Sequence, residues 1–313
     1  MNTPSNVVDF PQVTVRDMQV GGADGLLAAR LYVNTAARDP AGVNAGISTG
    51  LGTAKAGKQD TLVVFFHGGG FTKGSIDEGD VFLSHLSCGA LNQVVLSSSY
   101  TLATVKPFPA AVEDAHAVLL WVKKHKAKLG WSGKRLVVAG IEAGANLAAV
   151  CALMSRDRGG PELAGQILIM PMLDPALTTC SMREVTTHDG MAEVANTCAA
   201  SYRGYLPNPA DRTHPYASPL QSSRLKNLPP ALVLSAEDDP LRDEAEQYAA
   251  KLSANGVTTT LKRMSPAPLQ DSGARNDCAC KAAALSEIGS FLAKLERNDN
   301  PPEETAVAPF PPS

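Results

Sequence analysis

Five short, unbroken apolar runs set the tightest limit on how this chain folds. They lie at 62–66 (LVVFF), 94–96, 136–138, 167–170 (ILIM) and 231–234 (ALVL). A run of this kind suits a central parallel strand, because both of its faces are covered and neither needs polar residues. Between the runs lie stretches with helical period. In 111–122 the apolar residues Ala111, Ala115, Val118, Leu119 and Val122 recur at that spacing, with Pro109 ahead of them as a start signal. Strand–helix alternation argues for one doubly wound, mostly parallel sheet. The beginning of the chain differs. Segments 13–20 and 26–33 flank Gly21-Gly22-Ala23-Asp24-Gly25 and read as a hairpin, an antiparallel edge to that sheet.

Two segments break the rhythm. Residues 34–59 are rich in Gly, Ala and Thr and read as a long surface loop. Residues 174–224 have little strand character. They contain a helical stretch at 191–202 and a turn-rich part at 206–219, and they read as a cap over the sheet. The expected organisation is a single domain over 1–297, with cap elements from about 1–12 and 174–224, and a Pro-rich, disordered tail over 298–313.

Charge and composition narrow the partners. The 28 basic and 31 acidic residues give a net charge of −3 and form no basic run, so nucleic acid is not an expected partner. No stretch is long and apolar enough to span a membrane, and the first residues lack a secretory pattern. The six cysteines show neither zinc spacing nor a disulfide framework, which suits a reducing cytoplasm. No metal or cofactor is expected. The close pair Cys278 and Cys280 reads as two thiols near the start of a helix.

Several motifs carry a resemblance. His67-Gly68-Gly69-Gly70-Phe71 follows a buried strand directly. Glycines suit an oxyanion hole, where backbone N–H groups must point inward without a Cβ in the way. Tyr100-Thr101-Leu102-Ala103, Pro107-Phe108-Pro109-Ala110-Ala111, Ala217-Ser218-Pro219-Leu220 and Asp239-Pro240-Leu241-Arg242-Asp243 follow in order. Together these resemble the hormone-sensitive-lipase type of α/β-hydrolase, across roughly residues 10–295. The resemblance implies an α/β-hydrolase fold: a mostly parallel sheet of about eight strands, helices on both faces, and a cap. It also implies an oxyanion hole at Gly68, Gly69, Gly70 and Ala143, and an acid at Asp239. A homodimer, paired through the last strand and helix, is a further implication.

The chain departs from that family at two places. The nucleophile elbow, G-x-S-x-G in the family, reads Gly140-Ile141-Glu142-Ala143-Gly144 here, so Glu142 stands at the nucleophile position. The histidine is implied near Leu269, yet no histidine follows His214. Ser-His-Asp chemistry needs a hydroxyl and a base to take its proton. Glu142 is expected to project from a strained strand-to-helix turn and to fold back on the amides of Gly69, Gly70 and Ala143. An anion there is well placed at a helix N-terminus. If it instead faces Asp239, the two carboxylates share a proton and suit acid/base work. The leading expectation is therefore a non-hydrolytic protein that binds a small molecule between cap and sheet, or a partner. The second is a lyase, hydratase or isomerase using Glu142 and Asp239. Residual ester hydrolysis comes last. His67 is expected to be structural, His85 and His116 to sit on helices, and His188 and His214 to lie in the cap region. Asp243 is expected to orient its loop from a helix start.

Overall fold

Alternating side chains send each apolar strand's residues to two opposite faces, and both faces are covered here. The computed structural model describes residue 10 and residues 12–35, 58–89, 93–184, 191–266 and 272–299. Its strands are β1 (Val13–Gly21), β2 (Leu26–Asn34), β3 (Gln59–Phe66), β4 (Gln93–Ser98), β5 (Trp131–Ile141), β6 (Gly165–Ile169), β7 (Ala231–Ala236) and β8 (Thr259–Met264). They form one eight-stranded sheet in the order β1-β2-β4-β3-β5-β6-β7-β8. β2 runs antiparallel to β1 and β4, and the other pairs are parallel. The hairpin and the five central strands lie where the hydrophobic pattern puts them.

The helices are α1 (Asp80–Cys88), α2 (Ala110–Lys124), α3 (Ala143–Asp157), α4 (Cys180–Glu184), α5 (Met191–Tyr205), α6 (Arg242–Ala254), α7 (Ser272–Ala279) and α8 (Ala282–Asp299). On one sheet face Leu62, Val64, Phe66, Val138 and Val233 pack with the apolar sides of α2, α3 and α6. On the other, Val63, Phe65, Val137, Ile167 and Leu232 meet residues of α1 and α8 such as Phe82, Leu83, Ile288 and Phe291. Each such side chain, taken fully from water, contributes about 1.5–3 kcal/mol before chain entropy is counted. α3 is buried almost all round, from Ala143 to Ser155. It is the central helix, and its N-terminus points at the site.

The segment between β6 and β7 supplies α4, α5 and short turns. α5 lies over the glycine-rich loop, where Tyr205 stacks on Phe71 with ring centroids 3.8 Å apart. Most of the expected N-terminal cap element and of the tail, His188, Leu269 and most of the 34–59 loop lie outside the described residues, and the expected tail begins late, because α8 runs on to Asp299. Cys278 falls at the end of α7 and Cys280 in the turn just before the start of α8. All six cysteines are free. Among the described residues no helix is long and apolar enough to cross a membrane.

Candidate active site

The site is built where β3 and β5 end side by side. β5 turns directly into α3, and Glu142 occupies the turn with φ 54° and ψ −113°. That region is strained for a residue with a Cβ, at about 1–3 kcal/mol. Three backbone hydrogen bonds hold it there. Glu142 N–H donates to Ile169 O at 3.0 Å, and its carbonyl accepts from Asn146 N and Met172 N, both at 3.2 Å. The flanking glycine is a matter of space: a Cβ on Gly144 would lie 2.0 Å from Phe66 O. The chain therefore passes against β3 at a distance only glycine allows.

The glycine-rich loop turns its amides toward Glu142. His67 is buried, and its Nδ1 lies 2.7 Å from Gly68 O. Its ring stacks on Tyr100, whose hydroxyl donates to His67 O at 3.1 Å. Burial lowers the His67 pKa and keeps the ring neutral. These contacts tie the loop's carbonyls down, as its structural role requires. Gly69, at φ 105°, leaves its N–H facing inward. It donates to Glu142 Oε2 at 2.6 Å, and Gly70 N–H donates to the same oxygen at 3.2 Å. The carboxylate thus sits in the hole as expected, on two of the three amides named. Ala143 contributes the first residue of α3, with no bond to the carboxylate among those seen.

The second carboxylate is reached through a cation. Arg275 of α7 places Nη2 3.0 Å from Asp239 Oδ1 and Nε 3.4 Å from Asp239 Oδ2. Its Nη1 lies 3.7 Å from Glu142 Oε1. Asp239 is 1%, Arg275 5% and Glu142 8% exposed, so little water screens the group. Burial pulls the Arg275 pKa down, but the charges of Asp239 and Glu142 outweigh it and keep the guanidinium charged. This excludes the alternative in which Glu142 faces Asp239 and the two share a proton, because a buried cation stands between the two acids. The partner of Asp239 is Arg275, six residues beyond Leu269, where the resemblance places a histidine.

Other residues surround this centre. Cys198 on α5 interacts electrostatically with Arg275, Glu142 and Asp239, and burial pushes its thiol pKa far up, so it stays protonated. Ser201 abuts Gly70 closely: a Cβ on that glycine would meet its hydroxyl at 2.1 Å. Asp243 accepts from Ser181 N at 2.7 Å and so braces its loop. Glu244, which no sequence motif singles out, accepts from Leu173 N and Asp174 N at 2.8 and 2.6 Å. His85 and His116 sit on α1 and α2, and His214 packs between Phe108, at a tilt, and Tyr216, edge-on. Ser97 and Ser98 are buried within β4.

An elbow at the end of a central strand, facing glycine-loop amides across a mostly parallel sheet, defines an α/β-hydrolase. A profile described as alpha/beta hydrolase fold matches residues 63–268. The chain belongs to this family, in its esterase/lipase-like, hormone-sensitive-lipase branch. It is 36% identical over 239 residues to the carboxylesterase NlhH of Mycobacterium tuberculosis, covering 75% of this chain and 73% of that one. The Pyrobaculum calidifontis esterase superposes with a TM-score of 0.74 at 34% identity, over 91% of this chain and 85% of that one. A thermostable esterase from Pseudomonas putida ECU1011 gives 0.73 at 30% identity, over 92% and 84%. These relatives overturn the expectation of a non-hydrolytic binding protein, and with it that of a lyase, hydratase or isomerase. The likeness to esterases runs through nearly the whole fold at 30–36% identity.

Proposed function

We propose that this protein hydrolyses carboxylic esters, with Glu142 as the base that activates water. The observation that carries the reading is the division of labour between the two oxygens of Glu142. Oε2 is held by the amides of Gly69 and Gly70. Among the described residues Oε1 has no such anchor, and it faces Arg275 at 3.7 Å. One oxygen fixes the carboxylate and the other is left to accept a proton. A base held within reach of the proton it takes is the first requirement of general-base catalysis. The relatives are named as esterases, which supports carboxylic esters as the substrate class.

Water then stands where the family uses a seryl oxygen. Glu142 Oε1 takes a proton from water as the water oxygen attacks the ester carbonyl. The same oxygen returns the proton to the leaving alkoxide as the acyl–oxygen bond breaks. The products are a carboxylic acid and an alcohol. We place this activity in a reducing, cytoplasmic compartment, with support from six free thiols.

The test is turnover of p-nitrophenyl acetate by wild type and Glu142→Gln. Gln keeps an oxygen for the hole amides but cannot take a proton. Wild-type turnover that falls about 100-fold or more in the variant supports the reading. Wild-type rates at the level of buffer, or equal rates in the two proteins, overturn it. Mass spectrometry of enzyme quenched during turnover separates the routes: attack by Glu142 itself leaves an acyl adduct on the protein, whereas direct attack by water leaves none.

A further inference from the structure

We infer that Arg275 is a catalytic group of this site, the donor that receives the oxyanion formed on the ester carbonyl. The inference rests on ester hydrolysis being the reaction. In a hydrolase with a free hole, the amides of Gly69 and Gly70 would stabilise that oxyanion. Here both are committed to Glu142 Oε2. A tetrahedral intermediate formed beside Oε1 therefore needs a different donor, already in place and charged.

Arg275 meets these conditions by geometry. Two of its nitrogens, Nη2 and Nε, are taken up by Asp239. That grip fixes the plane of the guanidinium, as its rigid fork allows. The remaining nitrogen, Nη1, is turned toward Glu142 Oε1 at 3.7 Å, an ion pair longer than a hydrogen bond. The proton acceptor and the anion donor thus stand beside each other, as the two ends of an attacked carbonyl require. Asp239 becomes a positioning residue: it aims Arg275 and touches no reacting atom.

The surrounding charges leave this work to Arg275. Of the groups coupled to Glu142, His67 is kept neutral by burial, and Tyr100 and Cys198 are kept protonated by burial. Glu78, also coupled to Glu142, has its pKa raised, first by burial. Arg275 is the cation ion-paired with Glu142 among the described residues. At 5% exposure its field is little weakened by water. In the step itself the water oxygen bonds to the acyl carbon, and the carbonyl π pair moves onto the oxygen beside Nη1. The water proton goes to Oε1. The pair then returns, the bond to the alkoxy group breaks, and Oε1 gives its proton to the departing oxygen. Arg275 keeps all its protons throughout.

The experiment compares wild type with the double variant Arg275→Met/Asp239→Asn. In the double variant the buried acid and its cation go together, so the fold is spared an unpaired Asp239. Each protein is assayed on p-nitrophenyl acetate. Each is also titrated calorimetrically with the ethyl methylphosphonate anion, a tetrahedral mimic of the intermediate. The double variant is expected to lose about 100-fold in kcat relative to wild type at a similar KM, and to bind the phosphonate about tenfold more weakly. Asp239→Asn alone, which loosens the guanidinium but keeps its charge, is expected to fall between the two. Equal kcat in wild type and the double variant overturns the catalytic role of Arg275. If wild type shows no turnover dependent on Glu142, ester hydrolysis fails as the reaction and phosphonate binding alone decides. Equal binding by wild type and the double variant then overturns Arg275 as an anion donor, and weaker binding by the double variant supports it.

Discussion

Arg275 grips Asp239 through two nitrogens, at 3.0 and 3.4 Å, six residues beyond the position where the resemblance implies a histidine. Asp239 orients a fixed cation here. The site consequently holds two carboxylates and one guanidinium, all at least nine-tenths buried.

Breaking that set is expected to cost stability. Arg275→Met leaves Asp239 and Glu142 buried without their cation, a loss of about 3–5 kcal/mol. Adding Asp239→Asn removes one orphaned charge and is expected to restore a substantial part of it. Urea melts of the three proteins check this. A double variant no more stable than the single one would mean that the pairing with Asp239 carries little of the effect.

Restoring the family's serine is not expected to restore its chemistry. Glu142→Ser puts a hydroxyl at the elbow, but Arg275 cannot take its proton and no histidine follows His214. The variant is expected to turn over p-nitrophenyl acetate more slowly than wild type. A fluorophosphonate probe is expected to leave position 142 unlabelled in the wild type, where no serine is present, and to label Glu142→Ser poorly. Fast, stoichiometric labelling of that variant would show that a base for the introduced hydroxyl exists after all.

Acid stability is expected to depend on His116. It is buried on α2, and its pKa lies below 6.5, first because of burial and then because of the Arg158 charge, with Glu113 opposing. A depressed histidine resists protonation in the folded state while the unfolded chain takes the proton freely. Its effect is absent above about pH 6.5 and grows as pH falls from there toward the folded pKa, destabilising the fold. One such group gives at most about 1.4 kcal/mol per pH unit. His116→Leu is expected to flatten the fall of Tm between pH 7 and 5. An unchanged slope would remove His116 from the acid response.

Asp114 pins the first hairpin to the sheet. Its Oδ1 accepts from Ala23 N at 2.8 Å, and its Oδ2 accepts from Thr101 N at 2.9 Å. Asp114→Ala leaves both amides without an acceptor and is expected to cost about 2–4 kcal/mol. Hydrogen exchange supplies the specific readout: the Ala23 and Thr101 amides should lose protection while β3 and β5 keep theirs. Loss spread evenly over the sheet would argue against a local anchor.

The sheet was legible because its strands are covered on both faces, so that 62–66 and 231–234 read as unbroken apolar runs. The elbow and the glycine loop were legible because their glycines answer to steric limits, as at Gly144 against Phe66 O. Arg275 was not. A motif search asks for a residue type at a chain position, whereas this cation is demanded by charge. Two acids at Glu142 and Asp239 need a partner, and Arg275 is the first basic residue after Arg263. A search for charge balance would have found it. Glu244 was missed for a similar reason. It falls in step with Ala245, Tyr248, Ala249 and Leu252 on the buried side of α6. An acid on that stripe signals buried amides waiting for an acceptor, which Leu173 and Asp174 supply.

The three backbone bonds that fix Glu142 involve none of its side-chain atoms. The elbow is therefore a socket, shaped by the main chain of β6, α3 and the glycines around it, whose backbone bonds do not depend on the side chain it presents. A single codon there can replace one reactive group by another while the surrounding fold stays as it is. The chemistry of such a scaffold can change while its architecture does not.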